Sequence, residues 1–205
     1  MGIKERRENE KKQMCRKIMD AATEIINQEG YEALSIRKLA AKIEYSPTTI
    51  YLYYKDKSQI IDDIAAMLYT KVERNAAQYL TEHQTCPIDQ QVRGLMVLVI
   101  KILSEEAEMT KSIMYSGKNV IFASENGSIP DNEGIRMMDS LLEEGIRQKI
   151  FQENAAHTSW MIVTALLGFV MCASENCLYK LDNFNELSVN FAGILLGGIL
   201  DECKK

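Results

Sequence analysis

Two short amphipathic segments separated by only two residues constrain the fold of this chain more than any other feature. Apolar residues recur at helical spacing from Ile36 to Ile43, and Ser35 precedes them as a residue that can cap the first turn. Ser46 offers a second N-cap, and Pro47 suits the first helical position because its missing N–H costs nothing there. The pattern predicts two helices joined by a tight turn, which is the arrangement of a helix-turn-helix.

The rest of the chain continues the helical pattern. Gly30 can take the left-handed backbone that closes a first helix, and Asp56 with Gln59 has the spacing of a capping box, so a fourth helix begins near Lys57. No segment shows sustained period-two alternation. We therefore expect an all-α chain of about nine helices, over about 14–29, 35–43, 47–54, 57–80, 89–108, 110–123, 135–146, 155–179 and 185–202.

The charge is distributed unevenly along the chain. The formal net charge is −5, which argues against a polyanionic partner for the chain as a whole. Residues 1–57, however, carry 12 Lys and Arg against 9 Asp and Glu, whereas residues 58–205 carry 12 against 20. Only the N-terminal segment suits contact with phosphates.

Several classes of protein are disfavoured by the remaining composition. The five cysteines have no Cys-x-x-Cys spacing, and the two histidines, His83 and His157, have no ligand-like neighbours, so we expect neither a metal site, a cofactor nor an enzyme. The apolar stretches 160–173 and 191–200 are shorter than the roughly 20 residues that span a bilayer. The first residues lack the apolar core of a signal peptide, so a cytoplasmic protein without a membrane partner is expected.

A set of residues at characteristic spacing lies along residues 18–64: Ala21-Ala22, Gly30-Tyr31, Ser35, Leu39-Ala40, Ser46, Ile50-Tyr51, Tyr53-Tyr54 and Lys57. With these features in register, the segment closely resembles the N-terminal domain of TetR-family repressors. Glu44 departs from the pattern, because the family usually has Gly at this position of the turn. If the backbone there needs a positive φ, Glu costs roughly 1 kcal/mol relative to Gly.

The predicted DNA-binding residues follow partly from geometry and partly from this resemblance. Ile50 and Tyr54 are four residues apart and should face the core, which leaves the other faces of their helix for DNA. Lys57 can bring its ammonium and free backbone N–H groups to one phosphate. The resemblance implies that Ser35 and Arg37 contact phosphates or bases. The full predicted set is Ser35, Arg37, Ser46, Pro47, Thr48, Thr49, Tyr51, Tyr53 and Lys57.

The resemblance also implies two domains and a homodimer. Residues 1–57 would form the DNA-binding domain, and residues 58–205, entered through the fourth helix, a helical domain for dimerisation and effector binding. A two-fold dimer would place two reading helices on a palindromic operator in double-stranded DNA. The predicted interface, made by the last two helices, contains Leu167, Met171, Leu178, Phe191, Ile194, Leu195 and Gly198.

In this family, a cavity among the middle helices takes an apolar or cationic small molecule, which releases the protein from its operator. The residues predicted to line it are Met96, Ile100, Leu103, Met114, Tyr115, Phe122, Met138, Leu141, Trp160 and Thr164. Methionine and aromatic residues at helical spacing are equally typical of a plain core.

Two other functions compete with a ligand-responsive repressor. The chain could be a helical carrier protein with a vestigial DNA-binding head, although the intact run from Ser35 to Lys57 favours the repressor. It could also be a thiol redox sensor. Cys172 and Cys177 are five residues apart, about 500° around a helix, so a disulfide between them is not expected.

Overall fold

The structure is a computed structural model that describes residues 2–116 and 133–201, and every regular element in these ranges is helical. The described residues form nine α-helices, namely α1 (Ile3–Glu29), α2 (Ile36–Lys42), α3 (Pro47–Tyr51), α4 (Lys57–Glu82), α5 (Ile88–Glu105), α6 (Ala107–Tyr115), α7 (Glu133–Arg147), α8 (Ser159–Glu175) and α9 (Phe184–Gly197). The expected all-α fold is confirmed. The predicted end of α6, near residue 123, lies outside the described residues.

Several helices differ in length from the prediction; α9, for example, ends at Gly197 rather than near residue 202. α1 begins eleven residues before the predicted start at Met14, and α3 ends at Tyr51 rather than Tyr54. The helix predicted over 155–179 is α8 flanked by 3-10 turns at Glu153–Ala155 and Leu178–Lys180. Apolar periodicity misplaced these ends because it reports where a side chain packs, whereas a helix ends where its backbone hydrogen bonds stop.

The early start of α1 rests on local polar contacts. The backbone N–H of Gly2 donates to the carboxylate of Glu5 over 3.3 Å, and Arg6 pairs with Glu10 one turn later at 2.9 Å. Pairs of this i,i+4 kind stabilise a helix by about 0.2–0.5 kcal/mol each. Residues 4–13 have no apolar face, so the periodicity that marks a buried helix is absent from them.

The described chain divides into two compact units. The first contains residues 2–68 and 108–116, with α1, α2, α3 and the first part of α4. α2 packs against both α1 and α3. The side chains in its core are almost fully buried: Ile18, Ala22, Ile25, Ile26, Leu39, Ile50, Ile60 and Ile64.

The second unit contains residues 69–107 and 133–201, and α5 lies at its centre. α5 contacts α7, α8 and α9, which explains why it is buried on several sides. Its core includes Val92, Met96, Ile100, Leu142, Phe151, Leu166, Val170 and Ala192. Gly145 lets the ring of Phe151 lie against α7, because a Cβ at this position would lie 2.0 Å from that ring.

Glu44, in the turn between α2 and α3, has a φ of +61°. Gly usually takes this left-handed conformation, since a Cβ there is crowded by the following carbonyl group. The positive φ anticipated for this turn position is therefore present, and it is held by hydrogen bonds from the N–H groups of Glu44 and Tyr45 to the carbonyls of Ala41 and Ala40.

Candidate DNA-binding surface

The N-terminus of α2 presents two of the predicted contact residues. The hydroxyl oxygen of Ser35 accepts a hydrogen bond from the backbone N–H of Lys38 over 3.2 Å, so Ser35 is the predicted N-cap. Ser35 and Arg37 are both exposed. No ion pair of Arg37 is present within the described residues, whereas Lys38 pairs with Glu29 on α1 and Lys42 pairs with Glu24 at 2.7 Å. Arg37 is thus a cation of α2 that remains available to an anion.

Two hydroxyl groups close the first turn of α3. Ser46 accepts from the backbone N–H of Thr49 at 3.1 Å, and the Ser46 and Thr49 hydroxyl oxygens are 2.9 Å apart. Pro47 occupies the first turn and, like Thr48, is exposed. The start of α3 is therefore rigid and turned toward solvent.

The opposite side of α3 anchors it to the core. Ile50 is fully buried and Tyr54 is 2% exposed, as the four-residue spacing predicted. The Tyr54 hydroxyl donates to the Asp63 carboxylate on α4 over 2.8 Å. Burial, and then this hydrogen bond, raise the pKa of Tyr54 well above its usual range. The neutral hydroxyl fixes the segment after α3 against α4.

Side chains on the outward side of α3 differ in exposure. Tyr51 is 57% exposed, whereas Thr49 and Tyr53 are half-buried. Leu52 and Tyr45 are also exposed, although neither belonged to the predicted set. An apolar or aromatic residue next to a predicted helix cap was the sequence signal that could have identified Leu52 and Tyr45. Such side chains gain little by facing water.

Lys57 opens α4 next to an aromatic ring. Its ammonium nitrogen lies 4.0 Å from the ring centre of Tyr31. The carboxylate of Asp56 accepts from the N–H of Gln59 at 3.0 Å, while the Gln59 side chain accepts from the N–H of Lys55 at 2.9 Å. In the usual capping box, the side chain at the N3 position accepts from the N–H of the N-cap residue. Here Gln59 accepts instead from Lys55, the residue before the N-cap Asp56. The two hydrogen bonds orient the turn that precedes Lys57.

A comparison with known families fits this geometry. Residues 18–64, which contain α2, α3 and the start of α4, match the family described as "Bacterial regulatory proteins, tetR family". The N-terminal segment of the chain is therefore similar to the proteins of this family. The tetracycline repressor proteins of class D from Escherichia coli and class H from Photobacterium damsela subsp. piscicida are each 33% identical to it over 54 residues. That segment is 26% of this chain, and it spans only a quarter of the length of these curated relatives.

Solved structures extend the similarity to most of the fold. A TetR-family transcriptional regulator from Haemophilus influenzae has a TM-score of 0.62 and 18% identity, and covers 91% of this chain and 99% of its own. The fatty acid degradation regulator FadR from Bacillus halodurans has a TM-score of 0.60 and 19% identity, covering 90% and 95%. At these identities the likeness concerns the fold alone, including the fold of the second unit.

The residues predicted to line an effector cavity fall into separate groups. Met96, Ile100, Leu103 and Met138 are buried in the second unit, and Leu141 is half-buried there. Trp160 and Thr164 lie on an exposed side of α8. Met114 and Tyr115 belong to α6 in the first unit, and Phe122 lies outside the described residues. The structure therefore does not bring the ten residues together in one unit.

The residues predicted for the dimer interface also separate by exposure. Ile194 is 73% exposed and Gly198 is exposed, whereas Leu167 is only 5% exposed and packs inside its own unit. The half-buried members of the set are Met171, Leu178, Phe191 and Leu195. The ring of Phe191 stacks on Phe169 with centres 4.5 Å apart. Leu167 thus has almost no surface to offer a partner.

Three further features of the described residues concern membrane helices, metal ligands and cysteines. Within residues 2–116 and 133–201, no helix is long and apolar enough to cross a membrane, and no three His, Cys, Asp or Glu side chains are grouped as metal ligands. Cys172 and Cys177 are both exposed, and Cys15 and Cys86 are half-buried.

Proposed function

We propose that this chain is a DNA-binding transcriptional regulator that represses its target genes. The proposal rests on the difference between the two sides of α3, of which one is buried and the other exposed. Ile50 and Tyr54 anchor it, while Ser46, Pro47 and Thr48 are exposed at its start. A short anchored helix whose first turn is exposed fits the major groove of DNA.

Each contact type has a candidate on the exposed surface. Thr48 and Tyr51 are proposed to contact base edges. Thr49 and Tyr53 are half-buried, and they are proposed to contact DNA at the edge of the exposed surface. Ser35, Arg37 and Lys57 are proposed to bind phosphates and so set the position of α3 along the groove. The Tyr31 ring supports this role of Lys57, because it holds the ammonium at the start of α4.

The second part of the proposal is a homodimer that reads a palindromic operator. Residues 1–57 would supply the DNA-binding domain, and residues 58–205 the dimer interface. The exposed side chain of Ile194 on α9 supports this interface, because a second subunit would bury its apolar surface. A two-fold axis would place two α3 helices about one DNA turn, or a multiple of it, apart.

The third part is release by a small apolar or cationic effector. An effector that favours a dimer geometry poorly matched to the operator lowers DNA affinity, and by linkage DNA lowers effector affinity equally. Met96, Ile100 and Met138 are candidates for contacts from the second unit, since they are apolar and close to the centre of its core. Such a regulator would act in the cytoplasm, where bacterial DNA lies.

A direct test selects duplexes bound by the full-length protein from a random pool and measures their affinity by fluorescence anisotropy. Tyr51→Ala should weaken binding to the selected site by roughly tenfold, as expected for one base contact. Met161→Ala is the matched control, because Met161 is 54% exposed, lies on α8 and belongs to none of the predicted sites. A folded dimer that binds no duplex at low salt would leave the carrier function as the better explanation.

The same assay separates small-molecule release from thiol sensing. Loss of operator binding on addition of an apolar or cationic compound supports the proposed repressor. Loss on addition of peroxide, abolished in Cys172→Ser and Cys177→Ser variants, would instead support a redox sensor.

A further inference from the structure

The positive charge of the first unit is concentrated in an exposed part of α1. We call residues 4–17 the arm. It contains seven Lys and Arg and three Glu residues. Residues 18–57, which form the rest of the predicted DNA-binding domain, contain five Lys and Arg and six Asp and Glu. Residues 18–57 therefore have a net charge of −1, although their proposed partner is a polyanion.

Two of the five cations in residues 18–57 are also engaged by carboxylates. Lys38 pairs with Glu29, and Lys42 pairs with Glu24, where the hydrogen bond from Lys42 is the main cause of a lowered Glu24 pKa. Three cations remain for phosphates, namely Arg37, Lys55 and Lys57. With so few cations, a second source of positive charge would strengthen binding at moderate salt, since counterion release drives most of the sequence-independent affinity.

The arm's acidic residues are paired locally, which leaves one cationic face. Glu5 accepts from the N–H of Gly2, Glu10 pairs with Arg6, and Glu8 lies 3.8 Å from Lys12. No acidic partner of Lys4, Arg7 or Lys11 lies within ion-pair distance in the described part of the chain. These three residues are spaced i, i+3 and i+7, so they share about 60° of the helix surface.

This stripe of Lys4, Arg7 and Lys11 is unfavourable for the isolated helix. Like charges three or four residues apart repel each other, and cations near a helix N-terminus oppose the helix dipole. All three side chains are exposed. A row of anions bound to the stripe would remove both the repulsion between the cations and their unfavourable interaction with the helix dipole, because it would neutralise their charges.

The C-terminal end of the arm lies next to the residue that precedes the N-cap of the reading helix. The Lys17 ammonium, at the arm's C-terminal end, lies 4.8 Å from the ring centre of Tyr45. Tyr45 directly precedes Ser46, the N-cap of α3. The stripe covers about 10 Å along α1, which matches the axial spacing of about three phosphates on one DNA strand.

We propose that the stripe formed by Lys4, Arg7 and Lys11 binds the phosphate backbone of DNA beside the bases that α3 reads. This inference rests on the proposed function. The stripe adds affinity without adding sequence preference, because phosphates carry no base information. Operator and random duplexes therefore gain affinity from it in the same proportion.

The test compares two charge-matched variants of the full-length protein. Arg7→Gln/Lys11→Gln removes two cations of the stripe, and Arg6→Gln/Lys12→Gln removes two paired cations from other sides of the same arm. Binding to a selected operator and to a random duplex is measured by anisotropy between 50 and 200 mM salt, a range in which phosphate contacts dominate the change in affinity. Circular dichroism shows whether each variant keeps its helix content.

The first variant should lower the slope of log affinity against log salt by about 3 to 4 for a dimer, since each phosphate contact contributes about 0.9. Its affinity for both duplexes should fall by the same factor. The second variant should change the slope by less than about 1. Equal changes in the two variants, or no change in either, would show that this face of the arm does not bind phosphates.

Two further outcomes distinguish the possible failures. If the wild-type protein binds no duplex at low salt, both the proposed function and the role of the stripe are wrong. If wild-type operator binding is normal but Arg7→Gln/Lys11→Gln affects only binding to phosphatidylserine vesicles, the stripe faces a membrane and its proposed DNA contact is wrong.

Discussion

The ammonium nitrogen of Lys57 lies 4.0 Å from the ring centre of Tyr31, and this contact joins the start of α4 to the turn after α1. A cation at the face of an aromatic ring gains about 0.5–1 kcal/mol where it is exposed to water. Tyr31 therefore holds the Lys57 ammonium in place without neutralising its charge, so the charge stays available for a phosphate.

Replacing Tyr31 by Leu should lower operator affinity about two- to fivefold, which corresponds to the loss of one such contact. Tyr31→Phe keeps the ring and should bind with nearly wild-type affinity. Anisotropy titrations at equal folded fractions, determined by denaturation, measure both variants. Equal loss in Tyr31→Leu and Tyr31→Phe would show that the tyrosine hydroxyl, and not the ring, positions Lys57.

The Tyr54 hydroxyl should make the fold sensitive to alkaline pH. Burial raises its pKa above the tyrosine value of 10.0 in the folded protein, so the unfolded chain loses this proton first. The stabilisation is complete below about pH 10 and decreases above it, by roughly 1 kcal/mol per pH unit. Urea denaturation between pH 8 and 11 measures the decrease, which should be smaller in Tyr54→Phe; an identical pH profile would contradict this origin.

Glu44→Gly should stabilise the protein by about 0.5–1 kcal/mol, because Gly takes a positive φ without steric cost. Glu32→Gly is the control, since Glu32 is exposed and lacks a positive φ. That substitution should destabilise the protein by increasing the freedom of the unfolded chain. Thermal denaturation distinguishes the two, and destabilisation by both would mean that the Glu44 side chain makes a compensating contact.

Gly145→Ala should destabilise the second unit by about 2–3 kcal/mol, because the added methyl group overpacks the core. A Cβ at this position lies 2.0 Å from the ring of Phe151, which is 2% exposed and cannot rotate into solvent. Glu143→Ala, at an exposed position of the same helix, should stay within about 0.5 kcal/mol of wild type. Chemical denaturation gives both values, and a neutral Gly145→Ala would show that Phe151 is free to move.

Ile194→Arg should convert the proposed dimer to a monomer, because a charged side chain replaces the 73% exposed Ile194 at the proposed interface. Operator affinity should then fall at least about tenfold, since each molecule would carry one reading helix. Met67→Arg, at a 46% exposed position of α4, is the control and should leave the dimer intact. Sedimentation velocity gives the oligomeric state, and an unchanged dimer in Ile194→Arg would exclude this face.

Local patterns predicted much of the first unit. The N-caps Ser35 and Ser46, the inward side chains Ile50 and Tyr54, and the start of α4 at Lys57 all match the structure. Each of these features depends on hydrogen bonds or spacing within about one helical turn. The first turns of α1 were missed, because charged residues without an apolar face leave no periodicity to detect.

The second unit was less predictable from the same reasoning. α8 is apolar on almost every side, so its sequence does not define a single buried face. The sequence of α8 therefore allowed each of its apolar residues to lie at an interface or in a cavity. Leu167 was predicted at an interface and Trp160 in a cavity, but the reverse was equally plausible.

Local sequence patterns were enough to predict the all-α fold, the capped helix-turn-helix and the inward faces of its helices, since these depend on neighbouring residues and on one dominant apolar side. The burial of Leu167, the partial exposure of Trp160 and the contact between the Tyr31 ring and Lys57 became known only from the packed structure. These relationships join residues from different helices, and their geometry follows from how the helices pack rather than from the spacing within any one of them.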